Sequence, residues 1–311
     1  MSEQTAISSR PPLVSIILIL ITTTLGFVVI GPLIGFFLAL PFYDGSLMDL
    51  PQKLASPADY PEIKNAILIL QGSATFFGLI IIPSLYLYGI EKKSVFDFTR
   101  GKKIYPLMAA ITAVMVIMFM GINSVFIEWN YHFKFPEFLQ AFETWARERE
   151  ALAEELTKFF TQFSSTGEFV FGLIVIALFP AIGEELVFRG LIQNELFRAS
   201  KNHHVAIWTS AILFSAFHMQ FFGFVPRLLL GALFGYLYLW SGSLVIAMIA
   251  HFVNNGFSLL MMYLNQLGVI EMDVDTPEAA PWPIVVSFTL VFGALIFYFK
   301  RFYEQKNSTT L

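Results

Sequence analysis

Eight stretches of this chain are apolar for about the length a helix needs to cross a bilayer, and that pattern leaves few folds open. In hydrocarbon every backbone polar group must be satisfied internally, so spanning segments are helices of about 20 residues or strands of a closed barrel. The apolar runs lie near 13–41, 66–90, 105–127, 169–193, 204–221, 226–240, 243–264 and 282–299, the fifth and sixth being short. With 56% hydrophobic residues and only 14% charged ones, the chain is expected to be all-α, a polytopic integral membrane protein of about eight transmembrane helices. The apolar stretch after Met1 to Pro12 lacks a small-residue cleavage pattern, so no removable signal peptide is expected.

Lys and Arg between the spans set the expected orientation. Arg10, Lys92, Lys93, Arg100, Lys102, Lys103, Arg198, Lys201, Lys300, Arg301 and Lys306 place eleven basic residues on one side. The other side holds six, Lys53, Lys64, Lys134, Arg147, Arg149 and Lys158, in longer loops that carry most of the acids. Both termini are therefore expected in the cytoplasm. The polar insertion 128–168, rich in aromatics before its charged stretch, reads as an interfacial amphipathic helix or two on the outer face, with a plain solvated connector as the alternative. No basic cluster interleaved with aromatics supports nucleic-acid binding. Cysteine is absent, which excludes disulfides and thiolate chemistry.

Against this apolar background the ionisable residues inside the spans stand out, because a charge at bilayer depth is costly unless it pairs or faces a wet cavity. Span four reads Pro180-Ala-Ile-Gly-Glu184-Glu185-Leu-Val-Phe-Arg189-Gly190. Glu185 and Arg189 are four apart and share a helical face, so an ion pair offsets the burial of both. Glu184 points about 100° away, without such a neighbour. A purely structural salt-bridge network is the alternative for this cluster.

Span five ends in Phe214-Ser-Ala-Phe-His218. If the chain reverses between Arg198 and His203, Glu184 and His218 lie at matching depth, roughly 21 to 23 Å from the turn at ~1.5 Å per residue. Span seven carries His251-Phe-Val-Asn-Asn255, with His251 and Asn255 on one face and Asn254 turned aside. An imidazole and a carboxamide so placed suit a site that orients one group and donates to a developing oxyanion. His251 is only about 12 Å from the turn at Ser241 to Ser243, so a shared site requires the span four and five hairpin to protrude by roughly 10 Å. His203 and His204 at the polar turn, and His132 in the insertion, are assigned no catalytic role.

The ordered set Glu184-Glu185-x-x-x-Arg189, Phe214-x-x-x-His218 and His251-x-x-x-Asn255 resembles the motifs of the membrane-embedded CAAX prenyl endopeptidase and bacteriocin-processing family, the type II CAAX proteases. Gly231-x-x-x-Gly235-x-Leu-Tyr-x-x-Ser241-Gly-Ser-Leu is similar to the stretch between that family's second and third motifs. The resemblance covers about 90 residues. It implies an intramembrane endopeptidase with its core in 166–311, preceded in 1–165 by further transmembrane helices and the outer-face insertion. Glu184 would activate a water with His218 as partner, His251 and Asn255 would stabilise the oxyanion, and Glu185 with Arg189 would give structural support. It further implies a membrane-associated protein or peptide substrate, prenylated or not, cut at the cytoplasmic side. No obligatory metal is expected; a zinc held by Glu184, His218 and His251 is the alternative. The competing readings are a transporter with a Glu/His relay and a non-catalytic membrane scaffold or regulator.

Overall fold

The computed structural model describes residues 10–43, 45–46, 48–55, 57–95, 104–271 and 278–308. Met1 to Ser9 and three of the counted basic residues, Arg100, Lys102 and Lys103, lie outside them. The described chain is helical, with no β-strand among its residues. Seven helices are long and apolar enough to cross a membrane. They are α1 (Pro12–Phe42), α2 (Pro61–Gly89), α3 (Pro106–Tyr131), α5 (Thr166–Ser200), α7 (Phe224–Ser241), α8 (Leu244–Gln266) and α9, which runs from Trp282. Between α3 and α5 lies α4 (Gln140–Thr161).

The expected fifth span is shorter than its apolar run. It forms α6 (His203–Phe217), whose 15 residues reach about 22 Å against a hydrocarbon core of about 30 Å. Helix geometry stops there because Met219 adopts a left-handed φ of 56°, which an α-helix cannot contain. The insertion is likewise resolved into one long helix, α4, which exposes Phe142 and Trp145 while burying Glu143 and Ala146.

The ends of the bundle are assembled from distant parts of the sequence. At one end Arg10 pairs with Glu91 at 2.7 Å, Arg198 donates to the carbonyl of Arg10, and Tyr105 packs edge-on against Phe302. At the other end Lys64 pairs with Glu168 at 3.1 Å, Gln266 donates to the carbonyl of Thr161 at 2.6 Å, and Ala280 donates its N–H to Ser124. The α5–α6 hairpin therefore sits with the N-terminal end of α1, and α4 sits opposite.

Close approach of backbones fixes the central helices, as expected where lipid supplies no hydrophobic drive between them. A Cβ on Gly183, the residue before Glu184, would lie 2.6 Å from Cβ of Leu79, so α5 seats against α2 only with glycine there. In α7, Gly231 and Gly235 offer their carbonyls to α5: Arg189 Nη2 donates to the first at 2.9 Å and Gln193 Nε2 to the second at 3.3 Å. Every residue from Glu185 to Glu195 is buried, packed with Leu237, Tyr238, Leu244 and Ala247 into a solid hairpin-side core.

Candidate active site

Turn and cap chemistry sets the register of the helices that carry the polar residues. Ser165 caps α5 by accepting from the N–H of Glu168 at 3.2 Å. At the hairpin, Lys201 takes a left-handed conformation, and Asn202 caps α6 by accepting from the N–H groups of His204 and Val205. α5 passes through π-helical turns at Leu173–Leu178 and Leu186–Ile192, on either side of Glu184 and Glu185, a local geometry often found at functional sites.

Glu185 and Arg189 form the expected ion pair at 2.8 Å, and both are fully buried. The guanidinium also lies 4.5 Å over the ring of Phe214. The same carboxylate oxygen, Oε1 of Glu185, accepts from Nδ1 of His251 at 2.8 Å. His251 stacks on Phe234 with ring centroids 5.3 Å apart and meets Phe214 edge-on, so its plane is fixed on both sides. His218 donates from Nδ1 to the carbonyl of Phe214 at 2.9 Å. These partners assign the Nδ1 protons of both rings and leave each Nε2 facing inward.

Both Nε2 atoms face Glu184. Its Oε2 lies 4.0 Å from Nε2 of His218 and 3.9 Å from Nε2 of His251. That oxygen is buried and has no hydrogen-bond partner. Such separations are too long for a direct hydrogen bond, whereas one water making two bonds of about 2.8 Å spans about 4 to 4.6 Å. The hairpin arithmetic thus brings Glu184 and His218 together, and His251 with them.

Asn255 donates from Nδ2 to the carbonyl of Ile176 at 3.3 Å, which leaves its second N–H for another acceptor. Asn254 is not turned aside. It donates to Oδ1 of Asn255 at 3.0 Å and lines the same cavity, because a space of about 1030 Å³ admits side chains 100° apart on α8.

The donor types at the gap, two imidazole nitrogens and a carboxylate, suit zinc in kind. Their spacing does not, since ligands about 2.1 Å from a tetrahedral ion sit about 3.4 Å apart. Among the described residues no three His, Cys, Asp or Glu side chains form a group that could hold a metal ion.

Sequence reasoning missed a second polar group on the cavity wall. Arg227, in the first turn of α7, donates from Nη2 to Oε1 of Gln220 at 2.9 Å, while its Nη1 is buried without a partner. Gln220 in turn donates to Oε1 of Glu150 on α4 at 3.2 Å. Burial pushes the Glu150 carboxyl above its ordinary range, against the opposing pull of Arg227. No helical periodicity could have joined these residues, which meet only because α4 lies over the cavity.

Comparison with known proteins bears on this arrangement. Residues 166–257, which hold Glu184, His218, His251 and Asn255, match the type II CAAX prenyl endopeptidase Rce1-like family. The chain also resembles the uncharacterized protein YpbD of Bacillus subtilis, 31% identical over 85 residues, 26% of this chain and 40% of that protein. It resembles the membrane-embedded CAAX protease MroQ of Staphylococcus aureus at 30% identity over 99 residues, 30% of this chain and 40% of MroQ. The matched region thus spans about 40% of the length of each curated relative. No solved structure matches the chain.

Proposed function

We propose that the protein is an intramembrane endopeptidase in which Glu184 activates a water held between it and His218. The observation that carries this reading is the buried, unpartnered Oε2 of Glu184, one water's width from two imidazole nitrogens. A buried carboxylate oxygen left bare is costly and calls for an occupant.

In this reading Glu184 takes a proton from the water as its oxygen attacks the carbonyl carbon of the peptide bond. The oxyanion that forms receives hydrogen bonds from His251 and from the second N–H of Asn255. His251 already gives its Nδ1 proton to Glu185, so donation from Nε2 requires the ring to carry both protons. The carboxylate of Glu185 orients the ring, as the buried acid does in a Ser-His-Asp triad. The C–N bond then breaks, and the proton held by Glu184 passes to the amine, directly or through His218, leaving a carboxylate and a free amine. The unpaired Nη1 of Arg227 offers the substrate one further donor. The mechanism needs no metal, and the substrate is a membrane-associated protein or peptide.

A transporter relay is less well supported, because Glu184, His218 and His251 converge on one gap. The test is cleavage of a quenched fluorescent peptide library, prenylated and unprenylated, by wild type and Glu184→Gln in detergent, each with and without a zinc chelator. Loss of turnover in a folded Glu184→Gln that still binds peptide supports the peptidase. Equal behaviour of wild type and variant supports a scaffold. Inhibition by the chelator refutes the metal-free mechanism.

A further inference from the structure

The side from which the cavity is reached follows from its walls. It is lined by Asn123, Ile127 and Tyr131 near the end of α3, by Ile176 and Pro180 in the first half of α5 and Glu184 at its middle, and by His251 to Gln266 along α8. Each of these helices carries the cavity away from the hairpin and toward α4. At its rim Glu154, Thr157 and Lys158 of α4 and Gln266 of α8 are exposed. On the hairpin side the buried run from Glu185 to Glu195 closes it off.

The basic residues collect at the closed end. Arg10, Lys92, Lys93, Arg198 and Lys201 lie in segments that the Arg10–Glu91 pair and the Arg198–Arg10 bond draw together. Lys300, Arg301 and Lys306 follow on the last turns of α9, beside the start of α3. The open end carries Lys53, Lys64, Lys134, Arg147, Arg149 and Lys158 among the more numerous acids Asp49, Asp59, Glu62, Glu128, Glu137, Glu143, Glu148, Glu150, Glu154, Glu155 and Glu168. Cytoplasmic loops are the ones enriched in Lys and Arg.

We infer that the gap at Glu184 is supplied from the extracytoplasmic face, so that its substrate is a peptide segment exposed at, or exported to, that side. This revises the sequence expectation of cleavage at the cytoplasmic side, which rested on resemblance alone. The word substrate rests on the proposed peptidase, but the direction of access does not.

The absence of cysteine makes the test clean. Single-cysteine variants Glu154→Cys at the rim, Ile176→Cys beside Asn255 and Ala199→Cys at the exposed hairpin are treated in intact cells with a membrane-impermeant, negatively charged methanethiosulfonate. The same variants are then treated after permeabilisation. The expected result is that Glu154→Cys and Ile176→Cys react in intact cells at least about ten-fold faster than Ala199→Cys, which reacts only once the membrane is opened. The reverse pattern overturns the inference. So does an Ile176→Cys that stays unreactive on both sides while Glu154→Cys reacts outside, because the rim would then not lead to the depth of Glu184. Labelling requires no catalysis, so an inactive protein labelled from outside refutes the peptidase and leaves the sidedness standing.

Discussion

Nδ1 of His251 and Nη1 of Arg189 donate to one and the same oxygen, Oε1 of Glu185, each at 2.8 Å. Glu185 thereby couples the ion pair that permits α5 to be buried to the ring that faces Glu184. Structure and chemistry are joined at a single atom.

Replacing Glu185 by Gln keeps an oxygen for His251 but exchanges a charged acceptor for a neutral one. Turnover should fall by a factor on the order of 10² to 10⁴, the range seen when an orienting acid or an oxyanion donor is neutralised. Single-turnover cleavage kinetics measure it. A drop in binding with turnover intact would contradict the assignment.

Arg189→Met leaves the Glu185 carboxylate buried beside apolar rings, which should cost about 3 to 5 kcal/mol of stability. The double variant Glu185→Met with Arg189→Met should recover most of that loss and remain inactive. Thermal unfolding in detergent, alongside peptide cleavage, separates the two outcomes.

Gly183→Ala should destabilise by about 1 to 3 kcal/mol through overpacking. The added Cβ meets Cβ of Leu79, which alanine at position 79 would retain, so Leu79→Ala should not rescue it whereas Leu79→Gly should restore part of the loss. Because Glu184 is the next residue, activity should fall in the same variants.

Arg227→Gln removes the unpaired Nη1 from the cavity wall. A hydrogen bond from a charged donor is worth about 1.5 to 3 kcal/mol, so kcat/KM should drop roughly 10- to 150-fold, carried mainly by KM. Steady-state kinetics against a peptide series read the split.

Glu150 gives a pH signature. Its carboxyl is raised by burial, so the folded protein holds that proton more tightly than the unfolded chain, and the group's contribution falls as pH rises through and above the ordinary carboxylate range. Glu150→Gln should therefore melt higher than wild type near neutral pH, with the difference vanishing in acid below that range. A stability gap that widens on acidification would contradict this.

Much of the site could be read from the sequence because it depends on counting along helices. The Glu185–Arg189 pair needs only a spacing of four, and the meeting of Glu184 with His218 needs only a hairpin near Lys201. The shortened α6 was hidden because the apolar run continues past Phe217, while the backbone reverses at Met219, a left-handed position with no glycine to announce it. Asn254 reaches the cavity although helical facing turns it aside, because the cavity is wider than one face of α8. Arg227, Gln220 and Glu150 were out of reach for a different reason: α4 and the 218–223 loop are joined by packing between segments about 70 residues apart, which no local pattern encodes.

The packed run from Glu185 to Glu195 also decides what happens after a bond is cut. Under the proposed peptidase, a chain severed at Glu184 would find no passage through the hairpin side, and both fragments would return to the compartment that supplied them. Such a molecule would trim without translocating.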